Sequence, residues 1–471
     1  MKDAYTKLMD VRLLAVLAAV LFMYGCGTGD DADSYPQDTN QDAGADAASD
    51  SDTDSDSDSD TDTDTDTDTG FEELRASIDA NEDPDVTQED LDSMKAGNVD
   101  LSMKLLRALA VEKGGNLAVS AFSIRSAFAM LLAAAKGETE TEIATTLGFL
   151  EDQSRTHNAM NYYNREIMKR NLPETEYDDP VIISTANRMF VRPDKNIGDE
   201  YLEILAYNYD AGMYLADFGT DPEGMRKKMN AWVEEQTYDR IKNLFPEGSI
   251  ISDTAWVLVN AVYLKAPWMF GFEKSLTKEM PFTLLDDSEV KVPTMHNTEV
   301  EGYYGTGDGY KIVDVPLRGN DLSMTFILPD QGGYDEIEES LDDGTLDEML
   351  EDLEHGPIEV YLPRFKVETG SLMLNDILIE LGMVNPFGSQ ADFSGFGPDP
   401  DYPGISFVYH SVFVAADEIG VEAAAATGIG GNDSASMPMM LFDAHRPFIF
   451  ILRDRPTGLA LFTGRVLDPS K

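Results

Sequence analysis

Two groups of residues in this 471-residue chain could take part in chemistry. The first is the stretch EIGVEAAAATGIGGNDSASMPM, from Glu418 to Met439. It begins with alanines and continues with glycines and small polar residues, so it offers nothing to anchor a core. Yet apolar, strand-like segments bracket it, SFVYHSVFVAAD before and RPFIFIL after. Side chains alternate faces along a strand. One set here is Val421, Ala423, Ala425 and Thr427, all small and uncharged. Glu422 falls in the other set, and a slip of one residue would bury it. Such a segment suits a peptide that is exposed in one state and buried in another. An alanine-rich helix is the competing reading, but Gly428, Gly430 and Gly431 would leave it too short to hold alone.

The second group is the set of polar side chains that enzymes and metal sites draw on. The five histidines, His157, His296, His355, His410 and His445, are scattered. No H-E-x-x-H, G-x-S-x-G, Walker or G-x-G-x-x-G pattern is present. GTGDGY at Gly305 has the wrong spacing for a phosphate loop and reads as a turn. The single cysteine, Cys26, excludes a disulfide framework and a cysteine zinc site. No catalytic residue, metal or cofactor is therefore expected. The formal net charge of -53 argues against nucleic acid as a partner.

The charge is concentrated. Sixteen aspartates lie between Asp30 and Asp68, with no Lys or Arg among them. This tract has too few apolar residues to offset the entropy of ordering, so a solvated tether is expected rather than a calcium-binding array. A flexible chain of about 60 residues reaches roughly 40–45 Å, and more when charged. Ahead of it, Lys2, Lys7 and Arg12 precede the apolar run LLAVLAAVLFMY and then GCGTG. This resembles a bacterial lipoprotein signal, which implies lipidation of Cys26. An ordinary secretory signal with a spare thiol is the alternative. The expected organisation is a signal over 1–25, a disordered linker over 26–86 and one folded domain over 87–471. The expected location is the cell envelope, by a lipid anchor in the outer membrane, or the medium.

The folded part begins with helical periodicity. Ile124, Ala127, Phe128, Leu131, Leu132 and Ala135 share one face. Lys136-Gly137 ends that helix, and Thr139 with Glu142 reads as a capping box opening the next. In MRKKMNAWVEEQTYDRIKNLF, residues Met225, Met229, Trp232 and Val233 face inward. The period then changes. TAWVLVNAVYLKAPW is apolar throughout and predicts a strand buried on both faces. IEVYLPRFKVET alternates, and HRPFIFILRDRPTGLALFTGRV predicts two strands joined by a turn. Helices first and strands after them make the fold class α+β.

These segments, with NLAVSAFSIRSAFAMLLAAAKGET, TANRMFV, LVNAVYLKAPWMFGFEKSLTKEMPF, LPRFKVETGSLMLNDILIELGM and ADFSGF, resemble successive parts of a serpin, in order, from Asp90 to Pro469. Ala121 departs from the pattern, which usually has Pro there. The resemblance implies the serpin fold and a suicide-substrate inhibitor of a serine protease. Glu418 to Met439 would be the reactive-centre loop, with a hinge over Glu418, Gly420, Val421, Glu422, Ala423, Ala424, Ala425, Ala426 and Thr427. The family's spacing places the cleaved bond at Ser434-Ala435, with Asp433 as the runner-up. Ser120, Ser123, Asn260 and His410 match the shutter where the large sheet parts, and Trp268 matches the breach where insertion starts. The small Ser434 implies an elastase- or subtilisin-like target, and a monomer is expected. The alternatives are a non-inhibitory member acting as a surface binding module, and a lipoprotein enzyme on the same scaffold.

Overall fold

The computed structural model describes residues 70–471, apart from 177, 400–401 and 422–439. Cys26, the signal and the linker up to residue 69 lie outside the described residues. So do the hinge residues Glu422, Ala423, Ala424, Ala425, Ala426 and Thr427, and Asp433, Ser434 and Ala435.

The described helices are α1 (Gln88–Lys113), α2 (Ala121–Leu132), α3 (Gly137–Leu147), α4 (Gln153–Met168) and α5 (Asp199–Tyr209). After them come α6 (Pro222–Gln236), α7 (Tyr334–Ser340), α8 (Asp343–Glu351) and α9 (Asn375–Glu380). A capping box opens α1: the Thr87 hydroxyl accepts from Asp90 N–H at 3.2 Å, and Asp90 accepts from Thr87 N–H at 3.1 Å. Helix α2 is buried along its whole length, as a helix apolar on nearly all sides must be. The box expected at Thr139 and Glu142 does not form. Helix α3 starts two residues earlier, at Gly137, so both side chains already lie inside it. Glu142 instead accepts from Asn385 N–H at 2.5 Å, and Thr139 accepts from Asp392 N–H at 2.8 Å. Both residues hold a distant loop instead of capping their own helix.

The early strands are β1 (Glu73–Leu74), β2 (Leu117–Val119), β3 (Ile182–Val191), β4 (Met213–Leu215), β5 (Trp256–Pro267) and β6 (Lys278–Thr283). The middle ones are β7 (Glu289–Gly307), β8 (Tyr310–Pro316), β9 (Leu322–Pro329), β10 (Glu354–Pro363), β11 (Phe365–Glu368) and β12 (Leu372–Met373). The last are β13 (Tyr409–His410), β14 (Phe413–Ala416), β15 (Gly420–Val421), β16 (Met440–Asp443), β17 (Phe448–Asp454) and β18 (Ala460–Val466). One sheet has the order β1-β4-β3-β5-β15-β14-β11. A second runs β16-β10-β7-β8-β9-β17-β18-β2, with β6 on β7, and β12 pairs β13 separately.

Strand β5 is buried on both faces, as its composition requires. Trp256, Leu258, Val262, Leu264 and Ala266 face the main core under α2, while Val257, Val259 and Ala261 face Met229, Trp232 and Val233 of α6. The predicted β17–β18 hairpin forms, and GTGDGY makes the turn between β7 and β8. The alternating run IEVYLPRFKVET is one pattern but two strands. It divides at Arg364, so β10 joins the second sheet and β11 the first.

The folded unit also begins earlier than the boundary expected at residue 87. Glu73 and Leu74 pair with Tyr214 and Met213, making β1 the edge of the first sheet. The Phe71 ring stacks on Tyr214 at 5.7 Å and meets Phe190 edge-on at 5.0 Å. Two apolar side chains that find a hydrophobic seat suffice to end a polar tract, but a two-residue strand has no period to read.

Candidate functional site

The site is the seam in the first sheet, and the chain reaches it through a tight hairpin. Ala416 of β14 pairs with Val421 of β15, and Asp417 N–H donates to Gly420 O at 3.1 Å. The Asp417 carboxylate accepts from Ile419 N–H at 2.9 Å, an aspartate-stabilised turn. On its other side β15 is antiparallel to β5, with Gly420 opposite Pro267 and Val421 opposite Ala266. A Cβ at Gly420 would sit 2.4 Å from Ala266 O and from Pro267 Cα, so only glycine fits this approach. Val421 is 2% exposed and packs into the main core with Ala266 and Ala416. The first small residue of the alternating set is therefore already seated between β5 and β14.

Polar contacts pin the hairpin from outside. Trp268 Nε1 donates to Asp417 O at 2.7 Å, and Trp268 N–H donates to Ile419 O at 2.8 Å. Trp268, the tryptophan expected at the insertion point, therefore holds this turn through two hydrogen bonds. Phe272 N–H donates to Glu418 O at 2.8 Å. The buried Glu418 carboxylate accepts from Arg364 Nε at 2.8 Å and from the Thr277 hydroxyl at 2.5 Å. Burial pushes this carboxyl up, but the hydrogen bonds from Arg364 and Thr277 outweigh it and hold the group below its ordinary range. Sequence reasoning missed Arg364 and Thr277. Arg364 did carry a signal, as the one cation interrupting LPRF between two strands.

Six residues below the hairpin, the predicted polar set comes together. Ser120 caps α2, its hydroxyl accepting from Ser123 N–H at 3.2 Å and donating to Leu461 O at 2.7 Å. His410 Nε2 accepts from Ser120 N–H at 3.2 Å, so the neutral ring carries its proton on Nδ1 and donates to Asn260 Oδ1 at 3.0 Å. The Asn260 amide then donates to Ser123 O at 2.6 Å and to Asn187 Oδ1 at 2.8 Å. Burial pushes His410 down to about 4, so the ring is a structural donor and acceptor and not a base near neutral pH. Asn187 was not foreseen, although it lies in TANRMFV. It is the register partner of Asn260 in the β3–β5 ladder, and only that pairing reveals it.

Between hairpin and shutter, β5 has an open edge. Its ladder to β3 runs from Trp256 to Lys265, but among the described residues its other edge is laddered only at Ala266 and Pro267. Tyr409 and His410 pair with β12 instead. The His410–Asn260 bond crosses the seam. At its foot lies a hollow of about 10 Å³ against Phe128, Leu131, Leu258 and Ile405. No group of three or more His, Cys, Asp or Glu that could hold a metal occurs among the described residues. The arrangement can accept a strand.

The sheet thus seats Gly420 and Val421 between β5 and β14, above an edge of β5 that carries no further ladder among the described residues. The chain belongs to the serpin family: residues 96–469 match "Serpin (serine protease inhibitor)". Serpin B4 of Homo sapiens is 33% identical over 392 residues, covering 80% of this chain and 100% of that protein. The leukocyte elastase inhibitor of Bos taurus is 35% identical over 389 residues, with 80% and 100% covered. Among solved structures, the thermophilic serpin tengpin in its native state has a TM-score of 0.73 at 25% identity, covering 84% of this chain and 99% of that chain. The α+β serpin fold expected from the sequence is the fold observed.

Proposed function

We propose that this serpin is a suicide-substrate inhibitor of a serine protease. The observation that carries the reading is Val421, seated between Ala266 and Ala416 at the top of a β5 edge that is otherwise unladdered among the described residues. Continuing that register six residues brings Thr427 opposite Asn260 on one side and His410 on the other. Ala423 and Ala425 then face the core, and Glu422 falls on the outer face opposite Lys265 and Ala415. The residues that would enter the core are small, so they pass without rearranging α2.

The chemistry is the protease's. Its serine attacks the Ser434 carbonyl, the Ser434–Ala435 bond breaks, and the new amine leaves with Ala435, giving an acyl-enzyme. The freed loop zips down β5, each new ladder hydrogen bond contributing about 0.5–1.5 kcal/mol net. The attached protease is carried along and its oxyanion hole is distorted before water can deacylate it. No side chain of the inhibitor touches the reacting atoms. Its contribution is stored conformational free energy.

Ser434 suits a small S1 pocket, in keeping with relatives named leukocyte elastase inhibitors. A complex that survives SDS is expected with an elastase- or subtilisin-like enzyme, with mass spectrometry locating cleavage after Ser434. Proteolysis of the loop with no covalent complex, across a panel of serine proteases, would make this a non-inhibitory member. Fast inhibition of trypsin through another bond would remove the assignment of Ser434.

The same proposal places the domain at a membrane, with Cys26 acylated and the aspartate tract as spacer. The support is the position of the only cysteine, where the apolar run ends. The full chain is expected to partition into detergent and Cys26→Ser to release it into the aqueous phase. A wild type that stays aqueous with a free thiol refutes the anchor.

A further inference from the structure

The segment that follows α6 carries backbone strain. Tyr238, Asp239 and Asn243 have φ of 51°, 63° and 54°, all in the left-handed region. Asp and Asn tolerate it, but a tyrosine there is an outlier that persists only where surrounding contacts impose it. Those contacts lie on both sides of the seam. On the β5 side, the Tyr238 ring meets Tyr263 at 4.9 Å, and the Ser184 hydroxyl of β3 donates to Gln236 O at 2.9 Å. On the β14 side, the Arg240 guanidinium lies 5.5 Å from the Phe413 ring. Further on, the Ser371 hydroxyl donates to Leu244 O at 2.6 Å, and Phe245 meets Tyr409 edge-on at 5.8 Å. Helix α6 fixes the far end, with Arg226 Nη1 donating to Phe245 O at 2.7 Å and Asn230 Oδ1 accepting from Phe245 N–H at 2.9 Å.

The segment is therefore a bridge across the outer face of the first sheet. Tyr263 alternates with Val262 and Leu264 of the main core, and Phe413 with Val412 and Val414, so both rings point outward. Among the described residues, neither is laddered on the side that faces the seam. Val421 stands opposite Ala266 and Ala416. Three residues further along that register, a strand in the seam comes opposite Tyr263 and Phe413 together. Alternation turns that third side chain outward, as it does the first, Glu422. Outward at this height is not open solvent, because the bridge crosses there. The residue at the position is Ala424.

We propose that the Tyr238–Tyr263 and Arg240–Phe413 contacts set a size limit on the outer face of a strand received by the seam, at the position that falls beneath them. This rests on the reading of Glu418 to Met439 as an inserting loop, and it adds a requirement to that reading. Alanine is needed at 424 for its size, although it faces away from the core. A bulky side chain there keeps the bridge from closing over the completed sheet. The same side chain at 422, opposite Lys265 and Ala415, stands two residues nearer the hairpin, about 7 Å from that crossing.

The test reads insertion as the rise in melting temperature after subtilisin cuts the loop of the full chain, so it needs no covalent trapping. Wild type, Ala424→Ser and Glu422→Trp are expected to show the rise in full. Ala424→Trp should be cut as readily and lose most of the rise, although tryptophan itself suits a strand. Adding Tyr238→Gly and Arg240→Ala, which dismantle the bridge, should restore it, and the same pair with the wild-type loop is the folding control. If wild type gains stability on cleavage and Ala424→Trp gains as much, the size limit is refuted and the inserting loop stands. If the loss persists once the bridge is dismantled, the bridge does not set the limit and the proposal falls. If cleaved wild type shows no rise, the loop does not insert and both readings fall together.

Discussion

Val421→Arg is expected to convert the protein from an inhibitor into a substrate. Val421 is 2% exposed, and its neighbours across both ladders, Ala266 and Ala416, are buried and apolar. An arginine there has no carboxylate to meet in the main core. The effective penalty for an unpaired buried ion is several kcal/mol, so the variant hinge leaves its seat or refuses to return to it. Each ~1.4 kcal/mol added to the insertion barrier slows insertion about tenfold, while deacylation by the protease is untouched. Deacylation therefore wins by two or more orders of magnitude. The measurement is the partition between SDS-stable complex and cleaved inhibitor, by gel and mass spectrometry. Cleavage at the same bond with little complex is the expected outcome. Glu422→Gln is the control, because register carries Glu422 to the outer face, and it should still trap protease. Loop cleavage should raise the melting temperature of wild type strongly and that of Val421→Arg far less. Equal trapping by Val421→Arg would mean that β15 is only a turn and that β5 does not receive the loop.

Acid is expected to destabilise the fold already between about pH 6.5 and pH 4. His410 and His157 are both buried and pushed down to about 4 by that burial, against an ordinary 6.5. The unfolded chain therefore binds protons that the native state refuses. Their contribution to stability is complete above about pH 6.5, declines as pH falls, and is fully lost by about pH 4, on the order of 3 kcal/mol for each histidine. The geometry gives the reason. A proton on His410 Nε2 would face the Ser120 N–H that now donates to it, and that buried amide would lose its acceptor. Glu418 adds in the same direction, since its depressed carboxyl stabilises the fold until pH falls through its folded value. His445 works oppositely, raised by its hydrogen bond to Asp443, and tempers the slope. Urea midpoints should fall from pH 7 to pH 4.5, and NMR should show the His410 ring neutral at pH 5. An ordinary titration of that ring near 6.5 would show that the shutter is solvated and does not lock the seam.

Much of the architecture was legible because local chemistry is redundant. Strand β5 could be read from its unbroken apolar composition, α6 from its spacing, and the β17–β18 hairpin from Asp-Arg-Pro-Thr-Gly between two apolar runs. The failures share one cause. Thr139 and Glu142 have the spacing of a capping box, but a distant loop competes for the same side chains and wins. IEVYLPRFKVET keeps its alternation across Arg364, so the pattern cannot show that the chain changes sheets there. Residues 70–76 have no period at all and are ordered by an aromatic seat supplied from β3 and β4.

The sequence by itself determined which residues of the segment are small enough to share one buried strand face, because alternation and side-chain size are local properties of Val421, Ala423, Ala425 and Thr427. It also determined that no metal or nucleophile signature accompanies them. The tertiary structure alone decided what surrounds the start of that segment. Gly420 and Val421 are already between β5 and β14, Glu418 is clamped by Arg364 and Thr277, and Asn187 completes the shutter. Each of these is a contact between residues far apart in the chain. Ladder register and long-range hydrogen bonds arise only when strands from separate segments meet, so no local pattern encodes them.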